Sequence, residues 1–167
     1  MRYRYFVAIP IASEAVLKLK DFYENIFLSK LPVKNIHLTL VAPFFIKEGK
    51  TEAEMIEKIN EIKVYSFMAK FVGLDVFEQK SRKILFAKVE PEIEFKELSE
   101  KSNRILKDLI EMDTSPYSTG TIPSFKPHVT IDYDFREIVP ENFQEITFNV
   151  EKMLVFKGEN GLWKSLE

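Results

Sequence analysis

The chain of 167 residues contains no cysteine, which removes disulfides, a thiolate nucleophile and a cysteine-ligated metal, and leaves no argument for an oxidising compartment. No apolar run approaches membrane-spanning length. The opening Met1 to Pro10 reads as a short strand without the apolar region and cleavage site of a signal peptide, so a soluble, cytoplasmic protein with no membrane association is expected. An excess of basic charge is missing as well: 24 Lys and Arg against 26 Asp and Glu leave −2, too little to grip a long duplex by displacing counterions from many phosphates. A nucleotide ligand would be a small molecule or a strand end. Walker A, G-x-G-x-x-G and G-x-S-x-G sequences are all absent, which leaves nucleotide kinase, dinucleotide oxidoreductase and α/β-hydrolase readings unsupported. Histidine is scarce. With only two, and no cysteine, a structural zinc site or a two-metal phosphatase centre has too few ligands, so neither a metal nor another cofactor is expected.

Both histidines occupy the same frame, His37-Leu38-Thr39-Leu40 and His128-Val129-Thr130-Ile131. Along a strand, side chains alternate between faces, so each frame sets an imidazole and a hydroxyl about 7 Å apart on one face and two apolar residues on the other. A lone histidine is ordinarily satisfied by local hydrogen bonds; a matched pair that uses every histidine of the chain calls for a shared role near neutral pH. Hydrolysis of a phosphodiester needs a base for the attacking water, an acid for the departing oxygen and donors for the non-bridging oxygens. Two imidazoles supply the first two and two threonine hydroxyls the third. A 2′,3′-cyclic phosphate suits such a site, since ring strain lowers the barrier and a ribose oxygen leaves. The expected catalytic residues are therefore His37, His128, Thr39 and Thr130, with His128 assigned as base and His37 as acid, lining one cleft.

An apolar fraction of 46% with fifteen phenylalanines is enough for a proper core in one domain spanning 1–167, or in two lobes sharing an interface. A strand from Tyr3 to Ile9 precedes a helix N-capped by Ser13 with Val16, Leu19, Phe22, Tyr23, Ile26 and Phe27 at helical spacing. The first histidine strand, Ile36 to Val41, closes at Pro43. Thr51 to Glu54 is a capping box opening a second helix. Strands at Ser66 to Phe77 and Ile84 to Glu90 flank a polar hairpin connection, Pro91 opens a third helix reaching Met112, and Asp113 to Pro127 forms a long loop. The second histidine strand, a β-rich run from Ile146 to Phe156, and a last strand around Leu162 to Leu166 complete the chain. This order predicts an α+β fold with antiparallel or mixed sheets.

The paired tetrads resemble the signature of the two-histidine (2H) phosphoesterase superfamily, which includes the 2′-5′ RNA ligase-like RNA 2′,3′-cyclic phosphodiesterases. Tyr5 to Pro10 resembles the family's opening strand, Lys34 to Leu40 its first motif, and Phe125 to Ile131 its second. The resemblance implies a bilobal, pseudo-two-fold fold of two sheets with flanking helices around a central cleft, no metal requirement, and a nucleotide or RNA terminus bearing a cyclic or 2′-linked phosphate as partner. A monomer is expected. Two departures bear on substrate: Val41-Ala42-Pro43-Phe44-Phe45 stands where relatives carry an aromatic-Leu-Gly sequence, and Asp132-Tyr133-Asp134 where many carry a phosphate-holding arginine. Phe44, Phe45, Tyr117, Phe125 and Tyr133 are candidates to stack a base, each set against an ordinary core role. Lys34, Lys47, Lys50 and Lys126 stand near the motifs as candidate phosphate holders. A non-catalytic nucleotide- or RNA-end-binding module on the same fold is the alternative reading.

Overall fold

The computed structural model describes residues 2–79, 81–114 and 125–166. Its elements are β1 (Arg4–Pro10), α1 (Ser13–Phe27), β2 (His37–Ile46), α2 (Glu52–Asn60), β3 (Phe67–Gln79), β4 (Arg82–Glu90), α3 (Glu92–Leu106), β5 (Ile110–Met112), β6 (His128–Phe135), β7 (Ile146–Val150), β8 (Leu154–Glu159) and β9 (Leu162–Leu166). The class is α+β, as the element order predicts, and all strand pairs among the described residues are antiparallel.

Where two sheets were expected, hydrogen bonding joins the strands into one, in the order β7-β3-β4-β6-β2-β1-β8-β9 with β5 beside β2. The joint between the histidine strands is narrow. β6 meets β2 at the single pair Leu38↔Val129, whereas β3 and β4 stay paired from Lys70↔Glu90 to Gln79↔Arg82. Beyond that rung β2 leaves β6 and pairs instead with β5, from Phe44↔Met112 to Ile46↔Ile110.

One face of the sheet is the core. Leu38, Leu40, Val41 and Phe44 of β2 and Val129 and Ile131 of β6 join Val7 and Ile9 of β1 and the buried stripes of the helices, Ala15, Leu19 and Tyr23, Met55 and Ile59, Phe95, Leu98 and Leu106, in one apolar cluster. Each large apolar side chain fully buried there stabilises the fold by about 1.5–3 kcal/mol, and together they fix which way each motif strand faces. Ser99 of α3 donates to the Leu40 carbonyl at 2.7 Å, tying α3 to the end of the first motif.

Several local expectations are corrected. The N-cap of α1 is Ala12, without a side-chain cap, and Ser13 is the first helical residue. The Thr51 to Glu54 capping box is present, with both reciprocal bonds. Pro43 does not close the first histidine strand: register shifts opposite Tyr5 and Val7 mark a bulge there, where a missing N–H is tolerated, and the Pro43 carbonyl accepts from the Asp113 amide at 2.9 Å. The third helix stops at Leu106 rather than running to Met112, because Ile110–Met112 pairs with the edge that β2 presents after leaving β6. Leu109 and Ile110 remain buried, so their apolar spacing is real but serves a turn and a strand.

Candidate active site

Leu38 and Val129 both point into the core and both are fully buried, so the pleat turns His37, Thr39, His128 and Thr130 to the opposite face. Antiparallel pairing at that rung runs His37 towards Thr130 and Thr39 towards His128. Four chemically equipped side chains thus gather on one face around one backbone pair. All four are partly exposed.

The two imidazoles are held alike. His37 Nδ1 lies 2.9 Å from the Asn35 carbonyl and His128 Nδ1 2.8 Å from the Lys126 carbonyl, in each case two residues upstream. A carbonyl only accepts, so Nδ1 carries the proton in both rings, and Nε2 is the atom left to accept or deliver one. Burial lowers the pKa of His37 below its ordinary value of 6.5, opposed by the Asn35 carbonyl and assisted by the charge of His128. His128 is lowered as well, by burial against the opposing Lys126 carbonyl. Among the described residues no protein group bonds either threonine hydroxyl, and no group of three or more His, Cys, Asp or Glu is placed to hold a metal ion.

Each ring rests on aromatics. His37 stacks on Phe6, centroids 4.7 Å apart, and lies 5.9 Å from Phe156; Phe6 and Phe156 are nearly parallel at 4.8 Å, and Trp163 meets Phe6 edge-on at 4.7 Å. His128 packs edge-on against Phe77 at 5.0 Å and Phe86 at 5.4 Å, which stack on each other at 4.0 Å. These contacts fix ring planes and shield the imidazoles, the physical source of the lowered pKa values. Lys88 stands opposite His128 in register, on the same face. Its side chain crosses bare Gly73, where a Cβ would come within 3.1 Å of it.

The family model of the 2′-5′ RNA ligase superfamily matches residues 19–161, spanning both histidine strands and most of the chain. The chain belongs to the 2′-5′ RNA ligase superfamily. Among solved structures it is similar to TT0787 of Thermus thermophilus, with 21% identity, TM-score 0.73 and coverage of 98% of this chain and 95% of that one. Similarity to E. coli LigT complexed with 3′-AMP has 18% identity and TM-score 0.69 over 99% and 95% of the two chains, and a further structure described as a phosphoesterase has 16% identity and TM-score 0.71 over 100% and 97%. LigT has also been solved with phosphate, NADP+ and ATP. At these identities the likeness establishes the fold. No curated protein is significantly similar to the chain.

Within the superfamily fold, the base-stacking candidates separate. Phe44 is fully buried and stacks on Tyr5 at 6.0 Å on the core face, which corrects its reading as a stacking surface. Phe45 lies under the Arg2 guanidinium at 4.8 Å, and Phe125 packs partly against the core. Tyr133 is exposed, and Tyr117 lies outside the described residues. Lys126 contributes its carbonyl to His128 while its side chain is exposed. Lys47 donates to the Lys107 carbonyl and Lys50 stands 4.0 Å from Glu54, so both are engaged elsewhere, whereas Lys34 borders the depression beside His37. Asp132 accepts from the Tyr23 hydroxyl at 3.0 Å and ties α1 to β6. The burial of Tyr23 and that bond push the tyrosine pKa up to about 12.

Sequence reasoning missed Phe6, Phe77, Phe86, Phe156, Trp163 and Lys88. For Phe6 a signal was available: it alternates with Tyr5 and Val7 in the opening strand, so two apolar faces there announced that both were covered. The others depend on strand register, which no spacing in the chain reveals.

Proposed function

We propose that this chain is a phosphoesterase that works without a metal and opens a 2′,3′-cyclic or 2′-linked phosphate on a nucleotide or RNA end by paired histidine acid–base catalysis. The observation that carries this reading is the gathering of both His-x-Thr pairs around Leu38↔Val129 with both Nδ1 atoms tied to main-chain carbonyls. With phosphate between the rings, neutral His128 takes a proton from water as its oxygen bonds to phosphorus. The bond from phosphorus to the ribose oxygen breaks, and protonated His37 delivers its Nε2 proton to that oxygen. Thr39 and Thr130 donate to the non-bridging oxygens, and Lys88 adds positive charge from the next strand. The products are a phosphomonoester and a free hydroxyl, with the proton exchanged between the rings and reset through solvent. Nucleotide binding is further supported by LigT, a structural relative solved with 3′-AMP, NADP+ and ATP. No helix among the described residues is long and apolar enough to cross a membrane.

Turnover of nucleoside 2′,3′-cyclic phosphates in excess EDTA is the direct test. Product formation unaffected by chelator is expected; tight binding without product would favour the non-catalytic module, and activity restored only by added manganese or magnesium would refute a histidine base.

The pH profile tests the pair. One ring must be neutral and the other protonated, so kcat/KM, which reports the free protein, should pass through a bell. Both pKa values lie below 6.5. Above both, the acid is lost; below both, the base is protonated. The maximum should therefore fall on the acidic side of that value, and the kcat maximum should move to higher pH, because bound phosphate favours the imidazolium. A kcat/KM that rises steadily through the neutral range would overturn the assignment.

Thr39→Ala and Thr130→Ala should each remove one hydrogen bond to a charged oxygen, worth about 1.5–3 kcal/mol. The expected loss in kcat/KM is on the order of 10- to 100-fold with the fold intact, read by steady-state kinetics beside a thermal melt. An unchanged kcat/KM in both variants would remove the threonines from the reaction.

A further inference from the structure

The face around His37 continues into a depression of about 520 Å³ walled by Phe156 and Trp163, with Asn35, Ser165 and Lys34 at its border. On the other histidine strand, His128 is backed by Phe77 and Phe86, which stack on each other at 4.0 Å. The position of Trp163 is built into the backbone. Gly158 lies opposite it across β8 and β9, and a Cβ on Gly158 would come within 3.1 Å of the indole. A bare residue at that point lets the indole lie down on the sheet. Its edge meets Phe6 at 4.7 Å, and Phe6 also stacks on His37 with centroids 4.7 Å apart. Phe6 is thus a neighbour shared by Trp163 and the imidazole, both of which line the depression.

We infer that this depression is the nucleobase subsite, in which the base of the substrate lies against Trp163 and Phe156 and the ribose edge of the same nucleoside reaches His37. The inference rests on the phosphoesterase reading and deepens it. Aromatic walls accept any base through its π-face, and Asn35 and Ser165 offer hydrogen-bonding groups to its edge. The location also gives direction to the reaction. A nucleoside seated on the His37 side puts the departing ribose oxygen beside His37 and leaves the His128 side, with Lys88, to water. The aromatic residues that stack the base are therefore those of β8 and β9, rather than those that flank the two motifs in sequence.

Trp163 is the only tryptophan of the chain, so its fluorescence reports this subsite alone. Titration of the wild-type protein with 3′-AMP should change the emission saturably, while inorganic phosphate, which lacks a base, should leave it unaltered. Trp163→Ala should raise KM for adenosine 2′,3′-cyclic phosphate about tenfold with little change in kcat. Trp163→Phe should recover most of the loss, and Gly158→Val, which displaces the indole, should follow Trp163→Ala. The subsite is overturned if 3′-AMP competes with substrate yet leaves the emission unchanged, or if folded Trp163→Ala keeps the wild-type KM. A saturable emission change without turnover of any cyclic nucleotide supports the subsite and overturns the phosphoesterase reading. Turnover with no emission change does the reverse, and the absence of both overturns the two together.

Discussion

His37→Ala and His128→Ala are each expected to lower kcat by about 10²- to 10⁴-fold on a nucleoside 2′,3′-cyclic phosphate, the range for loss of a positioned acid or base. Neither loss should come from unfolding. Both rings are partly exposed on the face away from the core, and Leu38 and Val129 keep their burial in either variant. The double variant should lose far less than the product of the single losses. Once one proton transfer has gone, the concerted route has gone with it, and the second histidine has little left to contribute. Single-turnover and steady-state kinetics on the three proteins measure this. Additive losses would mean that the rings act in separate steps, and a single variant with full activity would remove that histidine from the chemistry.

Phe44→Ala should be more destabilising than truncation of any other base-stacking candidate, and its effect should spare substrate binding. The ring is fully buried, stacks on Tyr5 and sits where β2 passes from β6 to β5. Truncating a buried phenylalanine to alanine costs about 3–5 kcal/mol through lost transfer energy and the cavity left behind. For a chain of this size each kcal/mol lowers Tm by roughly 2–4 °C. Thermal or urea unfolding would measure the loss, and KM determined well below the transition should match the wild type. A raised KM with unchanged Tm would return Phe44 to the substrate and contradict its place in the core.

The contrast between Phe44 and Trp163 explains what the chain could tell in advance. The repeated His-x-Thr frames were legible because strand alternation is a local rule: identity and spacing alone decide that His37 and Thr39 share a face. The α+β class was legible for the same reason, from apolar periods and caps such as Thr51 to Glu54. Strand order and register are not local. That Phe6 stacks on His37, that Lys88 stands opposite His128, and that Trp163 reaches the site from the last strand all follow from pairings between residues far apart in the chain. Pro43 misled because its missing amide is costly only within a regular ladder, and the bulge opposite β1 removes that demand. Met112 misled because its spacing fits a helix, although the free edge of β2 offers Ile110–Met112 partners that a further helical turn would not have.

The anchoring of both imidazoles by main-chain carbonyls bears on how the site tolerates mutation. In enzymes whose histidine is oriented by a carboxylate, the orienting group is a side chain, and one codon change deletes it. Here the orienting oxygens belong to residues 35 and 126 whatever amino acid occupies them. Substitution at either position can alter charge or solubility while the ring nitrogens keep their roles, so long as the chain keeps its path into the strand. Drift can thus rework the approaches to both motifs while the placement of their protons stays inherited with the backbone.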